Sequence, residues 1–273
     1  MTRTDSPGPA PFDIAVVGLG ILGVRHITAE TTDVIRRCSR VFLVDATFGV
    51  EEHLRTLNPN VTSLLHLYGL GKPRLGSYQS MAAAVVSAAV EESPVCFATY
   101  GHPQMYCHPT ALIRNAGKLL GLRVDVLAGV SSLDTLLIDV GYDISAHGLQ
   151  IYDATDIVLR QRPLQNDVAC VLWQTTTFAD PTFRLAVPDA ERLSRLRDHL
   201  LRFYPPEHRV FVVFSRTHPA LEPVVTGHRL SHLAEALSSG PQSGTLFIPP
   251  VHSRPATDSQ IIEVLRDAYQ DGP

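Results

Sequence analysis

Five short apolar runs, each followed by a stretch with helical character, dominate the first half of this 273-residue chain. They are DIAVVGLG (13–20), RVFLVD (40–45), VTSLLHL (61–67), PVCFATYGHP (94–103) and RVDVLAGVSS (123–132). Strands without polar alternation, separated by helices, are the mark of βαβ units, in which the strands run parallel and helices cover the sheet. The intervening segments read as helices: TAETTDVIRRC with Thr28 as its cap, a short one at 50–57, MAAAVVSAAVEE and TALIRNAGKLL. The first half is therefore α/β, built on a parallel-rich five-stranded sheet.

The second half has a different texture. GLQIYDATD, DVACVLWQ, RVFVVFS, VVTGHRL and TLFIPP read as five further strands. One amphipathic helix, DAERLSRLRDHLLRFY (189–204), interrupts them and is stopped by Pro205 and Pro206. Such a set predicts a mixed or antiparallel sheet in a second domain that also carries helices. The expected division is 12–128, 129–252 and a helical tail at 253–273, with Ile261, Ile262, Leu265 and Tyr269 on the tail's apolar side.

Composition narrows the classes. Hydrophobic residues make up 45% and charged residues 18%, the balance of a globular protein. A net charge of −4 without runs of like charge argues against nucleic acid or a membrane surface as partner. The segment MTRTDSPGPAP lacks a signal-peptide centre, and no apolar run approaches the roughly 20 residues of a membrane helix. Cys38, Cys96, Cys107 and Cys170 form no CxxC pair, which fits reduced thiols in the cytoplasm.

Chemistry is concentrated in the turns. YGLGKPRLGSY (68–78) sets two phenols, Tyr68 and Tyr78, around Arg74 on a segment that its glycines and Pro73 predict to be a shaped loop. That loop is either a catalytic site or a surface turn with two half-buried tyrosines. Gly18, Gly20 and Gly23 spell G-x-G-x-x-G after a strand, and Asp45 ends the next one, the dinucleotide fingerprint of an NAD(P) oxidoreductase. The YGHP and AGVSS turns fall at other strand ends, and a dinucleotide reading leaves them unused. His102, Cys107 and His108 match no zinc spacing, so no metal is expected. Asp134 and Asp139 follow GVSS as acids or as helix-capping and pairing residues, and Trp173 reads as core.

VVGLGILG (16–23), the 68–78 loop, YGHPQMY (100–106) and LAGVSSLD (127–134), taken in order, resemble the tetrapyrrole methylase superfamily of S-adenosylmethionine-dependent enzymes. YGxGKPRxxxY and YDATD (152–156) are most similar to its borosin peptide backbone N-methyltransferases. The resemblance implies two α/β domains with the cofactor in the cleft between them, usually as a homodimer. Carried over, it places the cofactor against Tyr100, His102, Met105, Tyr106, Ser131, Ser132, Ala154, Thr155 and Gln174. It puts the first glycine turn on the substrate side, so Gly18 to Gly23 hold no pyrophosphate.

It further implies that Tyr68, Arg74 and Tyr78 activate an amide. Tyr78 is the expected base, and Tyr68 and Arg74 the donors to the amide oxygen. Where borosin loops commonly carry a further tyrosine, three residues before Tyr68, this chain has Leu65. The expected substrate is a precursor peptide supplied in trans. The alternative within the superfamily is methylation of a tetrapyrrole or other small molecule.

Overall fold

The computed structural model describes residues 11–185, 188–239 and 244–270, with side chains as far as residue 266. Residues 1–10 of the segment MTRTDSPGPAP, the terminal residues 271–273 and the side chain of Tyr269 lie outside the described residues. By contacts the chain forms two units: 1–142 with 179–187 and 213–225, and 143–178 with 188–212 and 226–273.

The first unit is built on β1 (Ile14–Gly18), β2 (Arg40–Val44), β3 (Val61–Ser63), β4 (Val95–Thr99) and β5 (Val124–Leu127). They pair in the order β3-β2-β4-β1-β5, all parallel. Successive residues of a strand point to opposite faces, and β1 feeds two separate cores. Ala15 and Val17 join Ile35, Leu43 and Leu54, whereas Ile14 and Val16 join Phe42, Met81, Val85 and Phe97. α1 (Ala29–Arg37) and α2 (Val50–Leu57) cover the first face, and α3 (Arg74–Glu91) and α4 (His108–Leu120) the second. Thr28 caps α1 by accepting the Thr31 amide.

Two local expectations change. The third strand stops at Ser63, and a 3₁₀ turn occupies Leu65–Leu67. The helix expected after the tyrosine loop starts earlier, at Arg74, with Pro73 as its N-cap. Gly76 is tolerated in its exposed first turn, so Arg74 and Tyr78 stand on a helix rather than a loop. Past residue 128 the first unit continues through α5 (Ser132–Val140) to Tyr142. Asp139 on α5 accepts a hydrogen bond from Ser215 of the returning segment 213–225. Asp134 caps rather than reacts: it forms a capping box with Ser131.

The second unit contains α6 (Ile144–His147), β6 (Leu149–Asp153), α7 (Ala154–Leu159), β7 (Ala169–Trp173), α8 (Ala190–Leu200), the parts of β8 (Arg209–Phe214) and β9 (Val224–Arg229) outside 213–225, α9 (Leu233–Ser239), β10 (Thr245–Ile248) and α10 (Ser259–Gln270). Its sheet runs β6-β7-β10-β8-β9 and is mixed: β6 pairs parallel to β7, and β10 antiparallel to it. Leu193, Leu196 and Leu200 form the buried stripe of α8, which packs on α9, whose Leu233 and Leu237 are buried. α8 is shorter than the expected helix at 189–204, and α9 answers to no expectation from the sequence. Trp173 is buried on β7.

Candidate active site

The glycine turns of the first unit meet one another. A Cβ on Gly18 would lie 2.5 Å from the Gly101 carbonyl oxygen and 2.8 Å from both Gly129 Cα and Pro103 Cδ. A Cβ on Gly129 would lie 2.6 Å from that same oxygen. Gly20 and Gly101 exchange backbone hydrogen bonds of 3.2 and 2.8 Å. The ends of β1, β4 and β5 are therefore pressed together, and the space that a pyrophosphate would need beside Gly18 is filled by protein backbone. The amides of Ile21 and Leu22 donate to His26 Nδ1 at 3.3 and 3.2 Å, and α1 begins only at Ala29. This turn does not form the helix-terminal anion cradle of a dinucleotide site.

Tyr68, Arg74 and Tyr78 come together. The Tyr68 and Tyr78 rings meet edge to face, 6.2 Å between centroids and 89° between planes. Tyr68 also stacks on Phe183 at 4.8 Å, and Tyr78 leans on His108 at 5.9 Å. The segment 180–183 holds the loop in place. The Gly71 amide donates to the Phe183 oxygen, that of Phe183 to the Lys72 oxygen and that of Arg74 to the Pro181 oxygen. Arg74 Nη2 reaches the Asp180 carbonyl at 2.5 Å, and Ser77 Oγ ties the first turns of α3 to the Leu67 carbonyl at 2.9 Å.

The two phenols differ electrostatically. Burial pushes Tyr68 far above the ordinary tyrosine value, and the neighbouring Tyr78, Tyr100 and Cys107 add to the shift against the pull of Arg74. Burial raises Tyr78 too, but the Arg74 charge and a hydrogen bond from Tyr68 both pull it back. Of the two phenols only Tyr78 is pulled back by a neighbouring phenol as well as by Arg74, and burial still holds it above the ordinary value.

Beside Tyr68 opens a cavity of about 620 Å³ at the C-terminal ends of β2 and β4. Asp45, Phe48, Leu65, Tyr68, Tyr100 and His218 are among its lining residues. Leu65, which stands where the resemblance leads one to expect a further tyrosine, is one of its walls. Phe183, Asp180 and His218 carry no signal in the sequence, because 179–187 and 213–225 come to this unit from far along the chain.

The residues carried over for a cofactor divide between the units. Tyr100, His102, Met105 and Tyr106 lie on the loop after β4. Tyr100 is 60% and Tyr106 46% exposed, and Met105 is half-buried. Tyr106 has a left-handed backbone, φ 54°, which is costly for a tyrosine and is often found at functional sites. His102 Nδ1 accepts the Gln104 amide and shapes the turn. Ser131 is buried and its hydroxyl is engaged in the α5 capping box, leaving the neighbouring Ser132 half-buried. In the second unit, Ala154 and Thr155 open α7, and Gln174 follows β7 with a left-handed φ of 61°. The exposed rings of Tyr100 and Tyr106 offer π faces of the kind on which a purine stacks.

The family model described as Tetrapyrrole (Corrin/Porphyrin) Methylases matches residues 13–237. Among curated proteins, a methyltransferase/ribosomally synthesized cyclic peptide gymnopeptides precursor of Gymnopus fusipes is 28% identical over 87% of this chain and 57% of its own length. The corresponding omphalotin A precursor of Omphalotus olearius is 29% identical over 92% of this chain and 61% of its own length. The chain thus spans about three-fifths of these relatives. Among solved structures, uroporphyrin-III-C-methyltransferase from Thermus thermophilus superposes with a TM-score of 0.63 at 18% identity, over 87% of this chain and 92% of its own. Diphthine synthase gives 0.60 at 14% identity, over 93% of this chain and 94% of its own, so both share the fold.

Proposed function

Because the chain belongs to the tetrapyrrole methylase family, we propose that it is an S-adenosylmethionine-dependent methyltransferase acting on backbone amide nitrogens of a separate precursor peptide. The observation that carries this reading is the contact of Tyr68 with Tyr78 beside Arg74. The relatives' names, which join a methyltransferase to a cyclic peptide precursor, support it.

An amide nitrogen is a poor nucleophile because its lone pair is delocalised into the carbonyl. Making it react requires removal of the N–H proton and stabilisation of the charge that then gathers on oxygen. Tyr78 takes the proton: Arg74 pulls on both phenols, and Tyr78 alone is also pulled down by its phenol neighbour. Arg74 donates to the amide oxygen as charge builds there, and Tyr68 turns its single O–H from Tyr78 to that oxygen once Tyr78 holds the amide proton. Phe183 and the Asp180 carbonyl fix these two donors before substrate arrives. The cofactor, when bound, supplies an electrophilic methyl group. Tyr100, His102, Met105, Tyr106, Ser131 and Ser132 are proposed to hold it from the first unit, and Ala154, Thr155 and Gln174 from the second.

The enzyme is further proposed to be a cytoplasmic homodimer. Its cysteines are free, with Cys38, Cys96 and Cys170 buried, as suits a reducing compartment. The functional test is incubation with S-adenosylmethionine and a candidate peptide, read by mass spectrometry and fragmentation. Mass steps of one methyl for one hydrogen, localised to backbone nitrogen, are expected. Stabilisation by NAD(P) but not by S-adenosylmethionine in a melting assay overturns the reading.

A further inference from the structure

The cavity beside Tyr68 contains an acid that the proposed amide chemistry does not use. Asp45 stands just after β2, is only 6% exposed and lines the cavity wall. Its Oδ1 accepts the Thr47 amide at 2.7 Å. Among the described residues lining the cavity none is lysine or arginine, and Val44, Ala46, Phe48, Leu65 and Leu221 make much of the wall apolar. A buried carboxylate facing such a wall is costly unless a donor or a cation reaches it. Accordingly, burial raises the Asp45 carboxyl above its usual value, against the opposing hydrogen bonds from Thr47.

Tyr68 belongs to both places: it packs on Tyr78 and it lines the cavity. Whatever occupies the cavity therefore lies next to the pair that would activate the amide. Within a peptide, a side chain and its own backbone nitrogen have that proximity. The volume, about 620 Å³, lies within the ordinary range of ligand pockets, roughly 300–1,000 Å³.

We propose that this cavity is a side-chain pocket for the acceptor peptide, and that Asp45 selects a residue carrying a cationic tip on an apolar stem. The assignment rests on the peptide-methylation reading and deepens it. Apolar walls cover the stem, and the acid gives the ammonium or guanidinium a charge-assisted hydrogen bond. A purely aliphatic side chain would leave the buried carboxylate without such a partner, and that difference is the source of discrimination.

The test uses two small probes, n-pentylammonium and n-pentanol, titrated by ligand-observed NMR. The proteins are the wild type, Asp45→Asn and Leu65→Trp. The asparagine retains an acceptor for the Thr47 amide, and the tryptophan narrows the cavity while leaving the acid in the sequence. Wild type should bind the ammonium at least about tenfold more tightly than the alcohol. Asp45→Asn should lose that preference, and Leu65→Trp should weaken both probes. Equal affinities in the wild type overturn the proposal even if Asp45→Asn fails to fold.

A second arm separates the pocket from the chemistry. Pooled peptides with randomised flanks around lysine or norleucine are offered with S-adenosylmethionine. Preferential methylation next to lysine is expected. Equal methylation of both pools overturns the pocket and leaves the methyltransferase reading intact. Methylation of neither pool overturns the pocket together with the reading on which it rests.

Discussion

Tyr68 and Tyr78 meet edge to face at 6.2 Å, with Phe183 stacked on the Tyr68 ring. One phenol is thus clamped between a residue of the neighbouring helix and one that arrives much later in the chain. The arrangement assigns unequal work to two chemically identical groups. Burial raises both, but only Tyr78 has its anion helped by a neighbouring phenol as well as by Arg74.

Replacing Tyr78 by Phe removes the proposed base and should lower methylation by about 10²- to 10⁴-fold. Calorimetric titration should find S-adenosylmethionine binding unchanged. Turnover within a few-fold of wild type would remove Tyr78 from the mechanism.

The Tyr78 phenol is held above its ordinary value, so it is protonated near neutrality. Its active anionic form grows as pH rises toward that raised value. Turnover of the wild type should therefore climb with pH across roughly 7 to 9 with a slope near one. The slope should be lost in Tyr78→Phe, and a flat wild-type profile would contradict the assignment.

Phe183 supports Tyr68 from the segment that also supplies the Asp180 carbonyl to Arg74. Phe183→Ala should cost roughly 10- to 100-fold in turnover, because the donors lose their position rather than their chemistry. Steady-state kinetics combined with circular dichroism would check this. An unfolded variant, or one with full activity, would count against a positioning role.

Two glycines should respond in opposite directions. Gly18→Ala forces a methyl against the Gly101 carbonyl and the Gly129 backbone, which have no flexible side chain to yield. Denaturant melts should show a loss of about 3 kcal/mol. Gly76 stands in the exposed first turn of α3, and nothing lies within 4 Å of a Cβ added there. Gly76→Ala should stabilise by about 0.5 kcal/mol.

His26 accepts the Ile21 and Leu22 amides through a nitrogen that must be unprotonated. Burial, with help from Arg216, holds its pKa below the usual 6.5. Between that lowered value and 6.5 the unfolded chain binds the extra proton. Its contribution to stability is therefore complete above about 6.5 and lost as pH falls through that window. Melting temperature should drop more steeply between about pH 7.5 and 5.5 in wild type than in His26→Ala. Parallel curves would show that another group is responsible.

Apolar runs alternating with helical segments specify a parallel sheet, because a strand covered on both faces must be apolar throughout and needs a crossover to its neighbour. Thr28, the glycine turns and the Tyr68–Arg74–Tyr78 spacing can be read from the chain for a related reason: caps, tight turns and short motifs act over a few residues. Folding in three dimensions settled what lies farther apart. Arg74 finds its backbone partner 106 residues away at Asp180, and Ser215 returns to Asp139 across 76 residues. Those contacts bring 179–187 and 213–225 into the first unit, and 213–225 supplies part of the wall facing Asp45. Local propensity carries no trace of such encounters, since the packing that rewards them exists only once distant segments share a surface. The meaning of G-x-G-x-x-G turned on the same point. Its letters are those of a dinucleotide turn, but Gly101, Gly129 and His26 fill the space and take the amides a phosphate would need.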